Sequence, residues 1–285
     1  MTDGIRPMQP EDIAGAQDAW YRALNALHAE LPLLSRLPAV SPAAYQQRLS
    51  HVLDCDSRGC WVAEADGQVV GLAQALRRGG LWVLSVFGVA PGWQGKHFGV
   101  ALLERALEYA EPSTRCLILS SLDPRAIRRY VRAGFTLLPA MVAVGTPAVS
   151  APMAPDVRPG DEQDFSLAGQ IDVELRGGEH GPDLQFILRA PGAEMLVVEE
   201  RGYAISVNGS PALIAARDEG AARQLLRATL ARASGPVTIP WVTALQQWAV
   251  GEALDAQLRM QAHGPVMVKG WPEFPLPYIA NTSFG

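Results

Sequence analysis

The chain has few cysteines, no long apolar run and no excess of positive charge. Cys55, Cys60 and Cys116 are three in 285 residues. That odd, sparse set gives no disulfide framework, so a reducing, cytoplasmic compartment is expected. No apolar segment approaches the ~20 residues that span a bilayer, so no membrane partner is expected. The opening MTDGIRPM lacks a basic stretch followed by an apolar one, so no secretion signal is expected. Lys and Arg number 24 against 29 Asp and Glu. A net of −5 argues against a nucleic-acid partner, which needs a basic face. His51, Cys55 and Cys60 lack a tight C-x-x-C pair and a fourth ligand, so no metal is expected.

What is present suits a folded enzyme-sized chain. Apolar residues make up 48% and charged residues 19%, which excludes disorder, and the length suits two domains. Charge divides unevenly: residues 1–145 carry a net of +1 and the remainder −6. An anionic ligand therefore prefers the first half. An acidic second half beside a cleft would attract a cationic substrate.

Residues 85–103, SVFGVAPGWQGKHFGVALL, are the most informative stretch. A strand-like run ends at Val89-Ala90-Pro91, a loop follows, and an amphipathic helix begins near Phe98. The first turn of a helix has unpaired N–H groups and partial positive charge, which suits a phosphate. The loop has neither GxxxxGK[ST] nor GxGxxG, so a nucleoside triphosphate or dinucleotide site is not indicated.

The loop resembles the acetyl-CoA loop of the GNAT superfamily of N-acetyltransferases: V-x-P, a spacer, then (Q/R)-x-x-G-x-(G/A). Here Val89, Pro91, Gln94 and Gly99 fit, and His97 stands where the family usually has glycine. A second block, Asp123-x-x-Ala126-Ile127-x-x-Tyr130-x-x-x-Gly134-Phe135, is similar to the family's N-x-x-A-I-x-L-Y-x-x-x-G-F segment. Asp123 replaces its Asn and Arg129 its Leu.

The implied fold is α+β: two GNAT-like domains, each a central mixed, mostly antiparallel sheet flanked by helices. Strands are expected over 60–65, 69–76 and 81–89, with turns at Asp66-Gly67 and Gly79-Gly80. One further strand is expected over 135–144. Residues 146–156 are rich in Pro, Ala and Ser and read as a linker between domains 1–145 and 157–285. Val157-Arg158-Pro159 echoes Ile5-Arg6-Pro7, as in a tandem protein. In the second copy, Arg217-x-x-Gly220-x-Ala222 fits the minimal loop pattern. Asp218 and Glu219 would repel a pyrophosphate there, so that copy reads as degenerate. The tail 272–284 is expected to pack irregularly.

The resemblance implies acetyl-CoA as co-substrate, no metal, and direct acetyl transfer to a primary amine on a small molecule or peptide. Val89, Gln94, Gly95, Lys96, His97, Phe98, Gly99 and Val100 would bind the cofactor. Tyr130 would protonate the departing thiolate. Glu30, His28, Glu64 and Asp123 are candidate bases, and Ser120, Ser121, Trp20, Tyr21 and Trp82 candidate acceptor-pocket residues. Gly88 would allow a bulge that splays the strand beside the thioester. Alternative readings are a non-catalytic acyl-CoA sensor and an enzyme that uses a longer acyl-CoA.

Overall fold

The computed structural model describes residues 4–31, 41–112, 114–148, 156–275 and 277–285. Residues 149–155, most of the expected linker, lie outside the described residues. The first half runs β1 (Ile5–Pro7), α1 (Ile13–Glu30), α2 (Pro42–Asp56), β2 (Cys60–Ala65), β3 (Gln68–Arg78), β4 (Leu81–Val89) and α3 (Phe98–Leu107). It continues through β5 (Arg115–Leu119), α4 (Pro124–Arg132), β6 (Thr136–Leu138) and β7 (Ala140–Gly145). The second half runs β8 (Val157–Gly160), α5 (Phe165–Arg176), α6 (Pro182–Leu188), β9 (Ala193–Val198), β10 (Gly202–Val207), β11 (Ser210–Ala216) and α7 (Glu219–Leu230). Then come β12 (Val237–Thr243), α8 (Gln247–Asp255), β13 (Arg259–Ala262), β14 (Val266–Lys269) and β15 (Tyr278–Ile279). Among the described residues no helix is long and apolar enough to cross a membrane.

Local chemistry explains many boundaries. Ser41 caps α2 by accepting from the Ala44 amide, with Pro42 at the first helical position. Asp66 and Gly67 both take positive φ, as a two-residue hairpin turn requires. Asp123 caps α4, and Gly134 ends that region at φ 88.

The first sheet has the order β1-β2-β3-β4-β5-β14-β6. Its neighbours are antiparallel except β4 and β5, which run parallel over Leu81–Leu84 only. Its apolar residues alternate between two faces. Val62, Leu72, Leu76 and Val83 join the core beneath α1, α2 and the second half, whereas Ala63, Val70, Ala73 and Trp82 pack with α3 and α4. Two antiparallel sheets complete the molecule, β15-β11-β10-β9-β8 and β12-β7-β13. The fold is thus α+β with sheets flanked by helices.

The echo between the halves is real at atomic level. Arg6 donates from Nη1 and Nη2 to both oxygens of Asp12, and its Nε reaches Glu64. Arg158 makes the same fork to Asp164, and its Nε reaches Glu199. In both corners the aspartate also accepts the amide three residues back, from Gln9 and from Asp161.

Three expectations change. The strand expected over 135–144 is broken at Pro139, which lacks an N–H for a ladder. Its first part, β6, does not reach β5, because β14 from the second half lies between them; its second part, β7, enters another sheet. The bulge in β4 falls at Ser85 rather than Gly88: Gln74 pairs with Val86 and Ala75 with Leu84. Gly88 instead admits Trp20, whose Cδ1 would stand 3.3 Å from a Cβ there. The tail is not wholly irregular, since β15 adds to β11.

Candidate active site

The strand–loop–helix unit that sequence singled out opens onto a cavity. Val89 ends β4, and Gln94 folds back so that its Nε2 donates to the Val89 oxygen at 2.9 Å. Gly95 has φ 79 with no atom within 4 Å of where a Cβ would lie. His97, the departure from the family pattern, is the N-cap of α3 and takes the left-handed conformation at φ 66. That region is costly for most residues but open to histidine. The first helical bonds run from the Val100 and Ala101 amides to the His97 oxygen. The amides of Phe98 and Gly99 have no acceptor among the described residues, and no side chain caps the helix. The Val100 amide, expected among the cofactor's ligands, is spent inside the helix, which leaves these two open.

Arg129 adds charge at this end. A Cβ on Gly99 would come within 3.0 Å of its Nη1, so the guanidinium lies against the first turn of α3. The loop fits a pyrophosphate in three ways: open amides, a glycine that leaves room, and a nearby guanidinium. Lys96 stands over the Trp93 ring, 4.3 Å from its centre, and His97 is exposed.

From the loop a cavity of about 520 Å³ passes Phe87 and Tyr130 and reaches Trp20, Tyr45 and Trp241. Its origin is the sheet. β4 and β5 pair only as far as Leu84 and Ile118, and the Ser85 bulge follows directly. Beyond it the two strands diverge, and Ser85–Val89 face Leu119–Leu122 across the opening. Tyr130 sits at this fork, 4% exposed, with its ring 6.1 Å from that of Phe87. No hydrogen bond holds its hydroxyl among the described residues. Burial pushes its phenol above the ordinary tyrosine range, so it is a protonated donor at neutral pH.

The other candidates separate. Trp20, Tyr21, His28, Ser120, Ser121 and Asp123 line the cavity. Asp123 is held as a cap, accepting from the Arg125 amide and Nε at 2.8 Å. Glu30 reaches Arg125 at 3.4 Å. Glu64 is tied to Arg6 at the opposite edge of the sheet, and Trp82 is core, donating to the Ala106 oxygen. His51 does not meet Cys60; it bonds Asp183 at 2.8 Å.

Three of four other lining residues carry no sign in the sequence. Tyr45 and Arg48 come from α2, where they read as ordinary amphipathic positions. Trp241 and His263 come from the second half, with ring centres 4.3 Å apart. Trp241 has φ 58 at a bulge in β12, a strained backbone of the kind that gathers at working sites. Gly264 follows His263 because any Cβ there would collide with the Ser120 oxygen. The one local signal was that His-Gly-Pro run.

Known proteins resemble the chain in the same region and beyond it. Residues 20–135 match the family described as "Acetyltransferase (GNAT) family". The Bacillus subtilis (strain 168) spore coat polysaccharide biosynthesis protein SpsD is 35% identical over 78 residues, 26% of this chain and 27% of that protein. The match thus spans about a quarter of that relative. A Pyrococcus horikoshii structure described as an acetyltransferase superposes with a TM-score of 0.77 at 17% identity, over 99% of this chain and 95% of that one. A tandem GNAT protein from the clavulanic acid biosynthesis pathway gives 0.57 at 14% identity, over 94% and 99%. Residues 20–135, the stretch that holds the loop and Tyr130, thus match the GNAT acetyltransferase family, and over the rest of the chain the likeness is one of fold.

Proposed function

We propose that the protein is an N-acetyltransferase that moves the acetyl group of acetyl-CoA directly to a primary amine. The observation that carries this reading is the uncapped start of α3, with Gly95 and Arg129 beside it, at the mouth of a cavity that passes Tyr130 at the fork. The amides of Phe98 and Gly99 and the Arg129 guanidinium hold the pyrophosphate. The open edge of β4 after the Ser85 bulge pairs with the amides of the pantetheine arm. Bound there, acetyl-CoA supplies an activated thioester.

The acceptor amine, deprotonated, attacks the thioester carbon. The C–N bond forms, the C–S bond breaks, the Tyr130 hydroxyl gives its proton to the departing sulfur, and the nitrogen's surplus proton leaves through water, which restores the phenol. A backbone N–H near Val89 stabilises the carbonyl oxygen as charge develops. The unbound phenol and its position at the fork support Tyr130 in this role.

The second half serves as a degenerate copy. Asp218 caps α7 by accepting from the Ala221 amide at 2.9 Å and is forked by Arg201. Its carboxylate thus takes the amide that a pyrophosphate would need. What this half contributes instead is the far wall of the cavity, through Trp241, His263 and Thr282. Three free cysteines suit a reducing cytoplasm. Incubation with acetyl-CoA and an amine panel, followed by thiol release, tests the reading. Amine-dependent release supports it. Binding of acetyl-CoA without release would make the protein a sensor.

A further inference from the structure

Four buried polar atoms with no hydrogen-bond partner among the described residues gather on this one cavity. They are the Tyr45 hydroxyl, Arg48 Nε, Ser85 Oγ and His263 Nε2. An unmet buried polar group is costly, so four around one hollow mark a place where a polar ligand completes the set.

The charges on the wall say which ligand. Histidines aside, the ionisable acidic and basic side chains lining the cavity are Arg48, Asp123, Arg125 and Arg129. Three belong to the cofactor end: Asp123 and Arg125 pair with each other, Arg125 Nη1 reaches Gln94 at 2.6 Å, and Arg129 lies on Gly99. Arg48 stands apart. It has no carboxylate partner among the described residues. Its Nη1 donates to Ser283 Oγ at 2.7 Å, and its guanidinium lies 4.3 Å from the centre of the Tyr45 ring. Burial keeps His263 uncharged at neutral pH. The acidic excess of the second half does not reach this wall, which receives Trp241, His263, Gly264 and Thr282 from it. The attraction for a cationic substrate expected from overall charge is therefore absent here.

Resting on the acetyltransfer reading, we propose that the acceptor is a small amino acid whose carboxylate binds Arg48. Ser85 and His263 then accept hydrogen bonds from its amine, on the side facing the fork between β4 and β5. The stacked rings of Trp20 and Tyr45, 4.3 Å apart, together with Tyr21 and Trp241, favour an apolar or aromatic side chain. A polyamine or an aminoglycoside would meet the Arg48 cation there and, among the described residues, no free carboxylate.

The test compares L-phenylalanine and L-methionine with their amides and with phenethylamine as acceptors for the full chain. The expected kcat/KM favours each acid over its amide by at least about tenfold, as a charge-assisted bond of about 1.4 kcal/mol would give. Arg48→Gln should collapse that acid-to-amide ratio to near one. Equal use of acid and amide by the unaltered protein would overturn the proposal, as would a ratio that survives Arg48→Gln. If Arg48→Gln does not fold, Arg48→Lys, which keeps the charge but loses the fork, should lower the ratio partway. If no amine is acetylated although acetyl-CoA binds, the transfer reading fails separately. Titration calorimetry with N-acetyl-L-phenylalanine in the presence of CoA then decides the carboxylate site: binding retains it and silence removes it.

Discussion

Arg78 in β3 forks onto Asp183 in α6, donating from Nε to Oδ2 and from Nη2 to Oδ1, each at 2.7 Å. The same guanidinium reaches Asp56 Oδ2 at 2.7 Å, and His51 Nε2 shares Asp183 Oδ1 with it at 2.8 Å. This buried cluster fastens the second half to the back of the first sheet.

Removing Asp183 should therefore cost more than a surface ion pair. Asp183→Ala leaves a buried guanidinium short of one carboxylate and should destabilise the chain by about 3 kcal/mol. Burial pushes the Asp183 carboxyl up, but hydrogen bonds from His51 and Arg78 outweigh it and hold it below the ordinary range. Its contribution is then fully present above the unfolded value near 3.9 and fades as pH falls below that. Urea unfolding measured from neutral to acid pH checks both; a loss under about 1 kcal/mol would contradict the first.

His263 gives a different pH window. Burial pushes its imidazole down to about 4. Between about pH 6.5 and 4 the unfolded chain takes a proton that the fold refuses, so stability falls as pH falls through that range, by about 3 kcal/mol in all. His263→Gln should flatten this part of the stability profile. Parallel profiles for the two proteins would show that His263 is not its source.

Tyr130→Phe should lower kcat by about 10- to 100-fold while the KM for acetyl-CoA stays within about twofold. Stopped-flow thiol release measures both. An unchanged kcat would take the phenol out of the reaction.

Arg129→Leu, which restores the residue usual in the family, should raise the Kd for acetyl-CoA about tenfold at low salt. The difference should shrink at about 0.5 M salt, where exposed charges are screened. Titration calorimetry at two salt concentrations tests it; a salt-independent loss would point to packing instead.

His97→Gly should leave acetyl-CoA binding equal or tighter. Glycine adopts the φ of 66 freely and, without a Cβ, leaves more room beside a phosphate oxygen. A large loss of affinity would make the imidazole a ligand.

Sequence showed the parts of the site that are written locally. The V-x-P turn, the glycines of the loop, the Asp123 cap and the position of Tyr130 all lie within one strand–helix unit or one helix, where spacing carries the geometry. The hairpins around Asp66 and Gly79 were equally plain. Sequence could not show that Val266–Lys269 would pair with Cys116–Leu119, because nothing in a four-residue apolar run names its neighbour across so long a separation. The far wall of the cavity was hidden for the same reason: Arg48 and His263 line one hollow only after the two halves have packed. Glycine is the usual marker of a bulge and so points to Gly88, yet Ser85, with its hydroxyl unpartnered at the cavity, serves as well.

The place of β14 bears on how the molecule is made. A ribosome that has released residues 1–145 has delivered β5 and β6 but not the strand that joins them, so the nascent sheet waits with an open seam until Lys269 emerges. Such late, long-range closure slows folding and leaves a sticky edge in the meantime. A gene cut after residue 145 would yield a torn sheet, not a smaller version of the fold.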